Sequence, residues 1–171
     1  VKVLNEKGIL QRNKNKDISK TPPTESVSIQ RGSIRMNHRP VIIGSGPSGL
    51  FAGLLLSRQG YNPILLERGE DVEKRSEKIN RFWQCGDFDS ESNVQFGEGG
   101  AGTFSDGKLT TLIKDRRIKL VLNDMVEAGA PEEILYTNKP HIGTDILKRV
   151  VQNVREKIIE NGGEIRFSSK V

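Results

Sequence analysis

Residues 39–68 read RPVIIGSGPSGLFAGLLLSRQGYNPILLER, and no other part of the chain limits its fold so tightly. A β-branched run (Val41, Ile42, Ile43) enters a glycine turn (Gly44, Gly46, Gly49), an apolar stretch follows as far as Gly60, and a second short apolar run (Ile64, Leu65, Leu66) stops at Glu67. The pattern predicts strand, turn, helix, strand. Each glycine has a separate job: Gly44 permits a tight turn, Gly46 lets backbone amides approach a diphosphate, and Gly49 lets the helix lie close on the strand. Pro47 and Ser48 open the helix, whose N-terminus presents free N–H groups and the positive end of its dipole to an anion. Glu67 lies 23 residues after Gly44, near the spacing expected of a carboxylate that accepts hydrogen bonds from an adenosine ribose.

The net charge of +5 invites a nucleic-acid reading, but its distribution argues against one. Residues 1–40 hold nine Lys/Arg against three Asp/Glu, whereas the remaining 131 residues hold 18 against 19. The basicity belongs to an arm, residues 1–36, which is polar, carries Pro22-Pro23 and has too few apolar residues to bury a face. Such an arm is expected to be extended and solvated, with an acidic partner or RNA as the alternative. Residues 37–171 then form the ordered domain. The single cysteine, Cys85, excludes a disulfide framework within the chain and suits a reducing, cytoplasmic setting. No stretch approaches the ~18 apolar residues of a membrane span. The chain opens on Val1 rather than Met and closes at Val171 in a strand-like stretch, so it is expected to be a segment of a longer protein.

Helical periodicity recurs in three further places. GEDVEKRSEKINRFWQ places Val72, Ile79 and Phe82 on one side of a helix with a wet outer face. Lys114 to Ala128 reads as a helix ended by Gly129 and Pro131, and Ile146 to Ile159 as another, capped by Thr144 or Asp145 and ended by Gly162-Gly163. Glu164 to Phe167 then returns as a strand. Strands alternating with helices predict an α/β fold with a parallel sheet.

Between Cys85 and Lys108 lie six glycines, more than a surface connection requires. Gly97, Gly99, Gly100, Gly102 and Gly107, interleaved with Thr103, Ser105, Asp106 and Lys108, offer backbone amides and small hydroxyls to a large flat ligand; a surface Ω-loop is the alternative. Cys85 in its FWQCGDF setting is expected to pack as a small hydrophobe. His141 is expected to make a structural contact, and no spacing of His, Cys and carboxylates suggests a metal site.

GSGPSGLFAGLLL followed by ILLERG resembles the FAD-binding N-terminal segment of two-dinucleotide-binding flavoproteins. NVQFGEGGAGTFSDGKLTT and KPHIGTDILKRVV resemble, more specifically, the bacterial family described as FAD-dependent, or NAD/FAD-utilising, dehydrogenases, whose members are far longer. The resemblance covers about residues 39–171. It implies a Rossmann-like, doubly wound parallel sheet, incomplete at the C-terminus. It also implies FAD as cofactor, with NAD(P)H a candidate co-substrate and a small-molecule substrate or electron acceptor that the residues do not identify. The implied cofactor contacts are Gly44, Gly46, Pro47, Ser48, Gly49 and Glu67, with Arg68 beside the adenosine half. Gly99, Gly100, Ala101, Gly102 and Thr103 would approach the diphosphate, ribityl or isoalloxazine part, and Val171 would meet the adenine through its backbone. Catalysis would reside in the isoalloxazine, so no side chain is singled out as acid or base, although Asp106 and Lys108 could tune the ring. An NAD-dependent dehydrogenase and a flavin-linked RNA-modification or RNA-binding protein remain the alternative functions.

Overall fold

Three consecutive β-branched residues favour the extended backbone of a strand. In the computed structural model, which describes residues 3–20, 27–109, 111 and 113–171, they form β1 (Val41–Ile43). β2 (Ile64–Leu66) and β3 (Glu164–Arg166) complete a parallel sheet in the order β1-β2-β3. In the register Ile42 faces Leu65 and Leu65 faces Ile165, so these three form one cross-strand row.

Helices connect the strands and cover that row. α2 (Pro47–Arg58) has Pro47 in its first turn, where a missing N–H costs nothing, and stops before Gly60, whose φ of +76° is the left-handed conformation glycine adopts freely. α3 (Val72–Cys85) is capped by Asp71, whose side chain accepts from the Lys74 N–H at 2.8 Å. α4 (Ile118–Glu127) precedes α5 (Thr144–Glu160), which leads into β3. α2 and α5 pack against each other over Leu65: a Cβ on Gly53 would come within 2.9 Å of the Leu65 Cδ1 and 3.3 Å of the Ile158 Cδ1. Leu50, Leu54, Val150, Val151, Val154 and Ile158 fill the core between them.

The parallel α/β arrangement is as expected, but the doubly wound pattern is not what the described residues display. Strand order follows chain order without reversal, and α2 and α5 occupy the same face. On the other face Val41 and Ile43 stand 55% and 61% exposed.

Four local expectations change. The arm is not extended throughout, because Asn5 caps a short helix, α1 (Glu6–Arg12), none of whose residues is buried. Pro22-Pro23 lies outside the described residues. α4 begins at Ile118 rather than Lys114, since the Asp115 side chain accepts from the Arg117 N–H and holds a turn there. Gly143, not Thr144 or Asp145, is the N-cap of α5; the Thr144 hydroxyl donates instead to the Ser105 carbonyl at 3.1 Å. Cys85 is exposed at the end of α3, with its Sγ 3.0 Å from the Arg81 carbonyl, rather than packed. Among the described residues no helix is long and apolar enough to cross a membrane.

Candidate functional site: a glycine-walled crevice

The turn after β1 is tight for a reason the backbone supplies. Gly44 has a φ of +90°, and its N–H continues the ladder to the Leu66 carbonyl at 2.7 Å. A Cβ on Gly49 would lie 1.9 Å from the Gly44 carbonyl oxygen, so α2 can begin there only because residue 49 has no side chain. A Cβ on Gly46, by contrast, would meet nothing within 4 Å. The absent side chain at Gly46 therefore leaves open space above the turn. Leu50 makes the first helical bond, to the Gly46 carbonyl at 2.9 Å, so the amides of Ser48 and Gly49 belong to the unpaired first turn.

This open space belongs to a crevice of about 260 Å³ at the C-terminal ends of the strands. Gly44, Gly46, Glu67, Arg68, Gly100 and Val171 all line it. Two glycine motifs that are far apart in the chain thus meet: the Gly99 N–H donates to the Ser45 carbonyl at 2.8 Å, and a Cβ on Gly100 would touch Pro47 at 3.2 Å. Gly99, Gly102, Thr103 and Pro47 border a different cavity, on the other side of the loop, and Ser48, Gly49 and Ala101 line neither. Ala101–Phe104 form one turn of 3-10 helix.

Glu67 sits where the spacing placed it, 4% exposed at the end of β2, but its carboxylate is largely engaged within the protein. One oxygen accepts from the Ser45 N–H at 2.7 Å and the Ser45 hydroxyl at 2.8 Å, and the other from the Gly69 N–H at 2.9 Å. A carboxylate offers about four acceptor positions, so one remains, on Oε1. As arranged, Glu67 binds the glycine turn to the chain after β2. Arg68 stacks its guanidinium on Phe96 at 4.3 Å and pairs with Glu91, which also holds Lys170 at 3.0 Å. Two cations therefore border the crevice. Asp106 and Lys108 pair with each other at 2.7 Å in solvent, and His141 joins Lys108 through a backbone bridge.

Arg75 organises the glycine loop, and the sequence reading missed it. Fully buried, it donates to the carbonyls of Asn93, Val94, Gly97, Glu98 and Gly100. Burial pushes its pKa down to about 10, opposed by the negative charges of Glu67 and Glu98, so it keeps its proton at neutral pH. A signal was available: Arg75 shares a helical face with Val72 and Ile79, a charge on an otherwise apolar stripe.

Glu98, also fully buried, accepts through Oε2 from the Val72 N–H and from Arg155, each at 2.8 Å, while Oε1 has no partner among the described residues. Burial pushes its pKa up to about 7 against the pull of Arg155, with Glu73 and Asp71 adding to the rise. The folded state therefore binds the more protons between about pH 4.5 and pH 7, and this group's contribution to stability, present at low pH, is lost as pH rises through that window. Thermal unfolding followed from pH 5 to pH 8 should show a decline that Glu98→Gln flattens, the variant gaining roughly 2–3 kcal/mol on the wild type across the range. Parallel curves would contradict this assignment.

Residues 38–80, from the approach to β1 into α3, match the family model described as the FAD binding domain. An uncharacterized protein of Clostridium beijerinckii is 55% identical over 166 residues, which cover 97% of this chain. The chain spans 31% of that relative's length. The segment holding the glycine turn, α2, β2 and Glu67 is thus similar in sequence to an FAD-binding domain.

Proposed function

We propose that this chain is a dinucleotide-binding portion of a flavin-dependent oxidoreductase and that its crevice takes the diphosphate and adenosine part of noncovalent FAD. The observation that carries the reading is the open approach at Gly46, beside first-turn amides that no helical carbonyl reaches. Those amides would hold the diphosphate, Arg68 and Lys170 would add positive charge, and the remaining acceptor of Glu67 would take one ribose hydroxyl. Val171, at the crevice edge, would meet the adenine through its backbone. Bound FAD would supply hydride acceptance and donation at its isoalloxazine, with NAD(P)H as the proposed reductant. The parallel sheet is read as one half of a Rossmann-like, doubly wound fold.

The absorption spectrum of the purified protein, before and after incubation with FAD, tests the reading. A bound flavin spectrum is expected. A colourless preparation that FAD does not reconstitute, but that binds NAD, would favour the nicotinamide alternative. At about 260 Å³ the crevice falls below the ~300–1,000 Å³ of complete small-molecule sites. Residues 1–171 alone should therefore hold FAD with a Kd of about 1 μM or weaker by fluorescence titration, and nanomolar retention would overturn the half-site reading.

A further inference from the structure

Another cavity, of about 560 Å³, opens at the opposite ends of the strands from the crevice, below the starts of β1 and β2. The chain from Arg31 to Arg39 arches over it, and both ends of the arch rest on the turn before β2. Arg31 lies over the Tyr61 ring, 5.2 Å from its centroid, while Arg39 donates through Nε to the Asn62 carbonyl at 2.7 Å and pairs with Glu164 at 2.8 Å. A surface loop whose two ends are held at one place is compact, with an interior of its own. That interior is basic: Arg31, Arg35, His38 and Arg39 line the cavity, and among the described residues no Asp or Glu does.

Arg39 is committed to the sheet, and its partner Glu164 also holds Arg166 at 2.6 Å. Arg31 and Arg35 are not committed in this way. Among the described residues Arg31 has its ring contact but no ion pair, and Arg35 has neither a hydrogen bond nor an ion pair. Two guanidinium groups that line one hollow without a carboxylate repel each other, and a multivalent anion between them reverses the sign of that interaction. One guanidinium fork satisfies a carboxylate, whereas a phosphoryl group has oxygens enough for two, with the Ser33 hydroxyl a further donor in the lining. The volume lies within the ~300–1,000 Å³ of small-molecule sites, which leaves room for an organic part. We propose that this cavity binds a small phosphate-bearing molecule whose phosphoryl group is shared by Arg31 and Arg35. The proposal does not rest on flavin in the crevice.

Inorganic pyrophosphate is the probe, titrated into the full chain by calorimetry and phosphorus NMR. The Gly46→Ala variant, which on the proposed function bars a diphosphate from the glycine turn, isolates this cavity. In that variant one pyrophosphate per chain should bind, with a Kd on the order of 100 μM or tighter. Adding Arg35→Gln should weaken binding roughly tenfold to hundredfold. Tm should not move, because Arg35 is exposed and nothing in the fold leans on its charge. Malonate, with carboxylates in place of the phosphates, should bind at least about tenfold more weakly than pyrophosphate. Absence of pyrophosphate binding, an affinity that Arg35→Gln leaves unchanged, or malonate binding as tightly would each overturn the proposal. Short single-stranded RNA that binds more tightly than pyrophosphate and loses its affinity with Arg35→Gln would assign the cavity to a nucleic-acid backbone and overturn it as well. In the wild type, pyrophosphate binding that falls with Arg35→Gln but not with Gly46→Ala supports this cavity and counts against the flavin reading alone. The reverse sensitivity would overturn the proposal and leave the flavin reading standing.

Discussion

Replacing Arg75 by methionine should destabilise the protein by roughly 3–5 kcal/mol, since the side chain's length is kept while the donors to five loop carbonyls disappear. Those carbonyls lie in and beside the loop that closes over the glycine turn, where water cannot fully replace the guanidinium. For a chain of this size the loss corresponds to a fall in Tm of roughly 10 °C or more. Flavin affinity should fall with it, because Gly100 is held at the crevice partly through this guanidinium at 2.9 Å. Arg75→Lys is expected to recover only part of the loss: an ammonium donates from one point and cannot span carbonyls from Asn93 to Gly100. Urea unfolding with flavin titration measures both effects. A methionine variant within 1 kcal/mol of the wild type would show that the loop holds itself.

The second large effect separates binding from folding with a single added methyl group. Gly46→Ala should leave the unfolding transition where it is, or slightly higher, because its φ of −66° suits alanine and its Cβ would meet nothing within 4 Å. On the proposed function, the same methyl would stand in the path of the diphosphate. FAD affinity should therefore drop on the order of 100-fold, about 2.7 kcal/mol. Gly49→Ala should do the reverse to the protein, since its Cβ would sit 1.9 Å from a backbone oxygen and force β1 and α2 apart at a cost of at least 1–3 kcal/mol. Differential scanning calorimetry and flavin fluorescence distinguish the two variants. Undiminished FAD binding by Gly46→Ala would remove the diphosphate from this turn.

How much of this was legible in the residues depends on the range over which each feature is set. β1, α2 and β2 stand where the apolar runs and glycines put them, because β-branching, Pro47 at the first helical position and the positive φ of Gly60 act within a few residues. The start of α4 and the cap of α5 were misread for the opposite reason. Asp115 folds back on Arg117, and Thr144 is drawn away by the Ser105 carbonyl, 39 residues earlier. Pattern reading sees a hydroxyl before a helix but not the distant acceptor that competes for it. Cys85 was misplaced because nothing in FWQCGDF reveals that this end of α3 faces solvent.

Local covalent geometry and side-chain type were sufficient to prescribe a parallel strand–helix–strand unit with an open glycine turn, since each glycine's role follows from having no Cβ. Only tertiary packing could bring the second glycine cluster against the first, install Arg75 beneath it and engage the Glu67 carboxylate with Ser45 and Gly69. Tertiary packing also buried the Thr103 hydroxyl against the Gly99 backbone with no hydrogen-bond partner among the described residues. Burial and hydrogen-bond satisfaction are properties of surfaces that meet from distant parts of the chain, and spacing along one strand or helix does not encode which surfaces those will be.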